Sequence, residues 1–239
     1  MGQLTRSTAA VAALLAVALS ARPARADDGS DERERVQEAT EILRELTGAD
    51  DDDIPRHILE RAEAVVVIPS LLKGGFVVGA QHGRGILSVR DRGTNTWSAP
   101  AFVAMTGGTF GLQIGAQAID LVLLVMNRDG IDELLKDEFT LGGSASVAAG
   151  PVGRSAKAAT DALMTAKILA YSRARGVFAG ATLEGSSLRA DDDANEEFYG
   201  RELETRAIVI DNAVAQAPPV VETWRTTLAG VTTPSPESN

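Results

Sequence analysis

The chain has 239 residues, no cysteine, two histidines and a formal net charge of −10. The missing cysteines exclude disulfides, the two histidines argue against a zinc centre, and the acidity excludes nucleic-acid binding through bulk charge. Aromatic residues make up 4% against 23 glycines, so the core has to be Val, Ile, Leu and Ala packed on glycine.

Residues 1–26 have the three zones of an export leader. Arg6 supplies positive charge, Ala9 to Ser20 are apolar and uncharged, and Pro23 precedes Ala24-Arg25-Ala26. Small residues at positions 24 and 26 predict cleavage before Asp27 and an exported product, periplasmic or secreted. The apolar run is about 12 residues, short of the roughly 20 that span a bilayer. No cysteine follows, which excludes a lipid-modified one. Losing Arg6, Arg22 and Arg25 makes the remainder three charges more negative than the whole. Residues 27–230 then form one domain, and the polar tail 231–239 is expected to be disordered.

Asp31 to Thr47 reads as an amphipathic helix, with Val36, Ala39, Ile42, Leu43 and Leu46 on one face. Asp31 and Glu34 are its expected capping pair and Gly48 its stop. Asp50 to Asp53 reads as a loop, and Pro55 opens a short helix to about Arg61. Strands are expected at Ala64 to Ile68, ended by Pro69, then at Phe76 to Gln81 and Gly85 to Arg90, with a turn at Asp91 to Asn95. Phe110 to Ala118 and Ile119 to Met126 continue the pattern, and the apolar run Leu121 to Met126 suits a strand covered on both faces. Asp129 should cap a helix to about Asp137. Leu141 to Ala149, Ala166 to Arg173 and Val177 to Leu183 read as strands, and Pro218 to Leu228 as a last helix. The fold class is α+β, a glycine-rich and mostly antiparallel sheet flanked by N- and C-terminal helices.

Glycines recur four apart at Gly75, Gly79 and Gly83, at Gly107, Gly111 and Gly115, and at Gly176 and Gly180. Four-residue spacing marks one face of a membrane helix or of a strand. The Phe and β-branched neighbours favour strands, whose bare glycine faces admit close approach of another backbone.

Motifs for catalysis are missing. No Gly-x-Ser-x-Gly or phosphate-loop pattern occurs, and Gly83-Arg84-Gly85 lacks the third glycine of a dinucleotide fingerprint. His57 falls in the short helix and His82 in a turn between strands, so both read as surface or packing residues. Asp191 to Glu197 is rich in oxygen ligands, but its spacing does not fit a calcium loop and a solvated acidic loop is expected. No cofactor is expected. Lys73, Arg84, Arg154, Lys157, Arg173 and Arg175 lie near the glycine segments, and the loop Gly150 to Arg154 could present backbone N–H groups to an anion. Ordinary pairing with surface carboxylates is the competing account.

Several stretches together resemble the SYLF domain family, a lipid-binding domain also found in yeast endocytic actin-regulating proteins and in many exported bacterial proteins. They are Ile68-Pro69 with Lys73 to Gly79, Gly83-Arg84-Gly85, Trp97 to Phe102, Gly107 to Gly115 and Asp120. Ala149 to Arg154, Tyr171 to Gly180, Leu183-Glu184-Gly185, Asn195 and Tyr199-Gly200 follow in the same order. The likeness runs from about Glu38 to about Ile210. It implies a binding domain, not an enzyme, with phosphoinositides as the ligands of eukaryotic members and phospholipids as those an exported chain would meet. Lys73, Arg84, Arg154, Arg173 and Arg175 become the candidates for an anionic headgroup, although the arginines could instead pair with Asp120 or Glu184.

Three readings follow. The first is lipid or membrane-surface binding, with the N-terminal helix either laying its apolar face in the bilayer or docking it on the sheet. The second is a structural or protein-interaction module of the cell envelope with no lipid dependence. The third, a hydrolase with His82 as its base, has least support.

Overall fold

The computed structural model describes residues 29–48, 54–136, 139–143, 146–152, 166–174, 177–178, 183 and 185–233. The leader 1–26, the run Asp50 to Asp53, Arg154 and Arg175 lie outside them, as does most of the expected strand from Val177 to Leu183.

Helices α1 (Ser30–Leu46) and α2 (Arg56–Leu59) lead into the two longest strands, β1 (Ala64–Asp91) and β3 (Ala101–Val125). Between these lies β2 (Thr96–Trp97), and after them α3 (Arg128–Leu134). The short strands β4 (Phe139–Thr140), β5 (Val147–Ala149), β6 (Ile168–Ala174), β7 (Val177–Phe178) and β8 (Ser187–Ala190) follow. Helices α4 (Asp192–Tyr199), α5 (Thr205–Val209) and α6 (Pro219–Thr232) close the described chain. The sheet has the order β2-β1-β3-β6-β5, and among the described strands only β5 against β6 is parallel. The α+β class and terminal helices agree with the sequence reading.

The sheet is one long hairpin that curls on itself. β1 and β3 are antiparallel from Leu87↔Ala101 to Ala64↔Val125, so the separately expected strands are continuous. The expected turn at His82 is mid-strand. Its glycines admit strand rather than turn because the other end of β1 packs over them. A Cβ on Gly83 would lie 2.7 Å from Ile68 Cγ2 and 2.8 Å from Leu71 Cδ1. One on Gly85 would overlap the carbonyl oxygen of Val67. Gly83 and Gly85 therefore let β1 meet itself. Across the hairpin Gly75 stands opposite Gly115, while Gly79, Gly83, Gly107 and Gly111 stand opposite Thr109, Met105, Gln81 and Val77.

The core lies where Ala64–Ile68, Leu121–Val125 and Ile168–Leu169 run side by side, all buried. Val36, Ala39, Leu43 and Leu46 cover it from α1, which packs on β1 and α6. Trp224 of α6 donates its indole N–H to Ser88 Oγ at 2.8 Å, and Trp97 donates to Thr232 Oγ1 at 3.0 Å. The apolar face of α1 is thus docked on the sheet and is not free for a bilayer. Among the described residues no helix is long and apolar enough to cross a membrane.

Local chemistry corrects several expectations. Gly29 takes the N-cap of α1 at φ 72°, and the Asp31–Glu34 pair makes no capping bond there. Asn127, not Asp129, caps α3 by accepting the N–H of Gly130 at 2.9 Å. Pro69 does not end β1. It has no N–H for the ladder, so the strand bulges between Ile68 and Leu71, with Ser70 at φ 49°, and continues. The acidic run from Asp191 is not a loop but opens α4, where carboxylates suit the helix dipole and Ala194, Asn195 and Phe198 turn inward.

Candidate functional site

The bulge in β1 shapes the candidate site. The N–H of Ser70 donates to Asp120 Oδ1 at 3.1 Å, which ties the bend to β3. Beyond it Leu72 points outward with 58% of its surface exposed, the one large apolar side chain left bare among the described residues. Lys73 follows, half-buried, and desolvation pushes its ammonium pKa down. The curl brings His82, Gly83 and Arg84 opposite Pro69, Ser70 and Leu72, and α1 closes the third side with Asp31, Glu34, Arg35 and Glu38. The result is an open groove of about 390 Å³.

The electrostatics of the groove are mixed. Asp31, Glu34, Glu38, Glu41 and Glu45 form one stripe along α1, because three- and four-residue steps keep a single helix face. The Glu38 carboxyl is held above the usual range, first by burial, then by Glu34, Asp120 and Glu41, against an opposing pull from Arg35. Arg35 bonds Glu32 at 3.3 Å and lies 5.3 Å from the centre of the Phe102 ring. Arg84 stands 3.6 Å from Asp191 Oδ2 with 58% of its side chain exposed.

The five candidate cations divide. Lys73 and Arg84 sit at the bend and its groove. Arg173 lies opposite Asp120 in the β3–β6 register, and its guanidinium pairs with Glu45 of α1. Only 20% of its side chain is exposed, so it ties α1 to the sheet. Of the expected anion loop, Gly150 donates its N–H to Ala170 O at 2.8 Å and presses against the ring of Tyr171, which leaves no room for a Cβ, while Gly153 and Arg154 lie outside the described residues. Sequence reading missed Leu72 and the acids of α1. The spacing of the five carboxylates was the available signal for the acids. Among the described residues no group of three His, Asp or Glu side chains could hold a metal ion.

The described residues form an α+β domain, a long antiparallel hairpin flanked by terminal helices with an open groove at its bend. The family model "Ysc84: Las17-binding protein actin regulator" matches residues 106–231, more than half of the chain. The yeast "LAS seventeen-binding protein 3" (Saccharomyces cerevisiae) is 36% identical over 175 residues, covering 72% of this chain and 37% of that protein. "SH3 domain-containing YSC84-like protein 1" is 35% identical in Xenopus laevis, with 70% and 51% covered, and 33% identical in Homo sapiens, with 72% and 51% covered. The chain belongs to the Ysc84, or SYLF, family. It spans between about a third and a half of the length of these relatives.

Proposed function

We propose that this domain is a non-catalytic binding module that docks on a lipid surface through the bend of β1, outside the cytoplasm. The observation that carries the reading is Leu72, bare at the bend beside Lys73. Inserting a leucine removes apolar surface from water, and a phosphate next to Lys73 relieves an ammonium that desolvation disfavours. Arg84 can exchange Asp191 for a headgroup, since an exposed pair is worth only about 0–1 kcal/mol. Arg173 and the apolar face of α1 are withdrawn from the lipid site, because the fold itself uses them. The acids of α1 make the attraction local, so contact rests on insertion as much as on charge.

Co-sedimentation of residues 27–239 with phosphatidylcholine vesicles, with and without phosphatidylglycerol, tests this. Binding to the anionic vesicles should weaken with salt, fall with Lys73→Gln or Arg84→Gln, and vanish with Leu72→Glu. Absence of binding at every composition rejects the reading. Export is tested by N-terminal sequencing of extracytoplasmic material, which should begin at Asp27.

A second reading has its own support. The groove acids Asp31, Glu34 and Glu38 form no ion pair with a described residue, whereas its arginines are already paired with carboxylates. That imbalance suits a basic segment of a protein partner, and the family description names a protein ligand, Las17. Changing Glu34 and Glu38 to Lys separates the two. Vesicle binding rises if lipid is the ligand, and capture of a basic peptide is lost if protein is.

A further inference from the structure

A second cleft lies away from the bend, where β8, the end of α3 and the start of α5 meet. It holds about 250 Å³, below the roughly 300 Å³ at which pockets for drug-sized ligands begin. Its floor is apolar, built from Val103, Leu134 and Leu188. Its rim carries Lys136, Arg189 and Arg206, three cations from three separate elements, all exposed.

The pairing of these cations is incomplete. Lys136 reaches Glu133 at 2.7 Å, but Arg189 and Arg206 make no ion pair with a described residue. Asp192 and Glu204 stand on the same rim, yet neither is paired with them. Two free guanidiniums on an apolar floor match one chemistry, since arginine forks grip a planar or tetrahedral anion with paired N–H bonds. Acyl carbons can cover the leucines while Lys136 and the hydroxyl of Thr205 add donors.

We infer that this cleft is a binding site for a short amphiphilic anion, a carboxylate or phosphate ester carrying an apolar chain. It is independent of the bend of β1, so either site can fail without the other.

The experiment measures thermal shifts and calorimetric affinities of the chain with octanoate, octyl phosphate, 1-octanol and inorganic phosphate at physiological salt. Octanoate, octyl phosphate or both should raise Tm with saturation, and the stronger of the two identifies the head group. Neither 1-octanol nor inorganic phosphate should do so. The Arg189→Gln/Arg206→Gln double variant alters only exposed side chains. It should keep the unliganded Tm and weaken binding by about tenfold or more, as expected on losing charge-assisted bonds. Leu72→Glu should leave the affinity unchanged. Equal stabilisation by 1-octanol, undiminished binding in the double variant, or no shift with either anion overturns the assignment.

Discussion

The side-chain oxygen of Asn195 accepts the backbone N–H of Phe102 at 2.8 Å, joining positions 93 residues apart. Asn195 is fully buried in α4, and Phe102 lies in β3 just beyond the residues that pair with β8. The amide takes over where the ladder stops. Asn195→Ala leaves a buried N–H without an acceptor and should cost about 1–3 kcal/mol. Urea unfolding followed by tryptophan fluorescence measures it, and a change below a few tenths would mean that water replaces the amide.

Two glycines should respond in opposite senses. Gly85→Ala drives a methyl into the Val67 carbonyl and should destabilise by about 3 kcal/mol or more, because backbone cannot yield as a side chain does. Gly230, in α6, has nothing within 4 Å of its Cβ position. Gly230→Ala should stabilise by about 0.5–1 kcal/mol through helix propensity. Thermal melts of both variants decide.

Leu46 tests the role of α1. It is buried against the sheet, so Leu46→Ala should cost about 2–5 kcal/mol in denaturant unfolding. In vesicle assays below its melting temperature the same variant should bind like the parent. A variant that keeps full stability and loses vesicle binding would return the helix to the membrane.

Glu38 should make stability depend on pH. Its raised pKa means that the folded state holds a proton the unfolded chain has released. From the unfolded value of about 4.3 up to the raised folded value, the folded state binds more protons, so stability falls as pH rises through that window. Glu38→Gln should remove this slope and gain on the parent above it. Urea titrations over a pH series read the difference, and parallel curves would exclude the burial of this carboxyl.

The sheet was legible in the sequence because β-branched runs and Gly spacing both follow the strand period. Its continuity was not, since Pro69 and the Gly83-Arg84-Gly85 stretch carry the local marks of breaks. Only a contact 18 residues away along β1 shows that the glycines are there to be packed upon. The helix at Asp192 was hidden for a related reason: the run of acids masked the inward spacing of Ala194, Asn195 and Phe198. Of the candidate cations, Lys73 and Arg84 were found by their place among the glycines. The role of Arg173 depends on Glu45, 128 positions away, and no local pattern reports it. Leu72 is one apolar residue in an apolar stretch, and its exposure arises only from the bulge.

The self-contact of β1 also bears on how the chain reaches its native state. Zippering from the turn at Asp91 forms Leu87↔Ala101 first and Ala64↔Val125 last. Gly85 nevertheless finds its packing surface only when Val67, near the far end, has arrived. The half of the hairpin that closes early therefore waits for the half that closes late. Such non-local topologies fold in milliseconds to seconds rather than microseconds. A chain cut anywhere along β3 should hold no stable intermediate hairpin, and the domain should appear in one cooperative step.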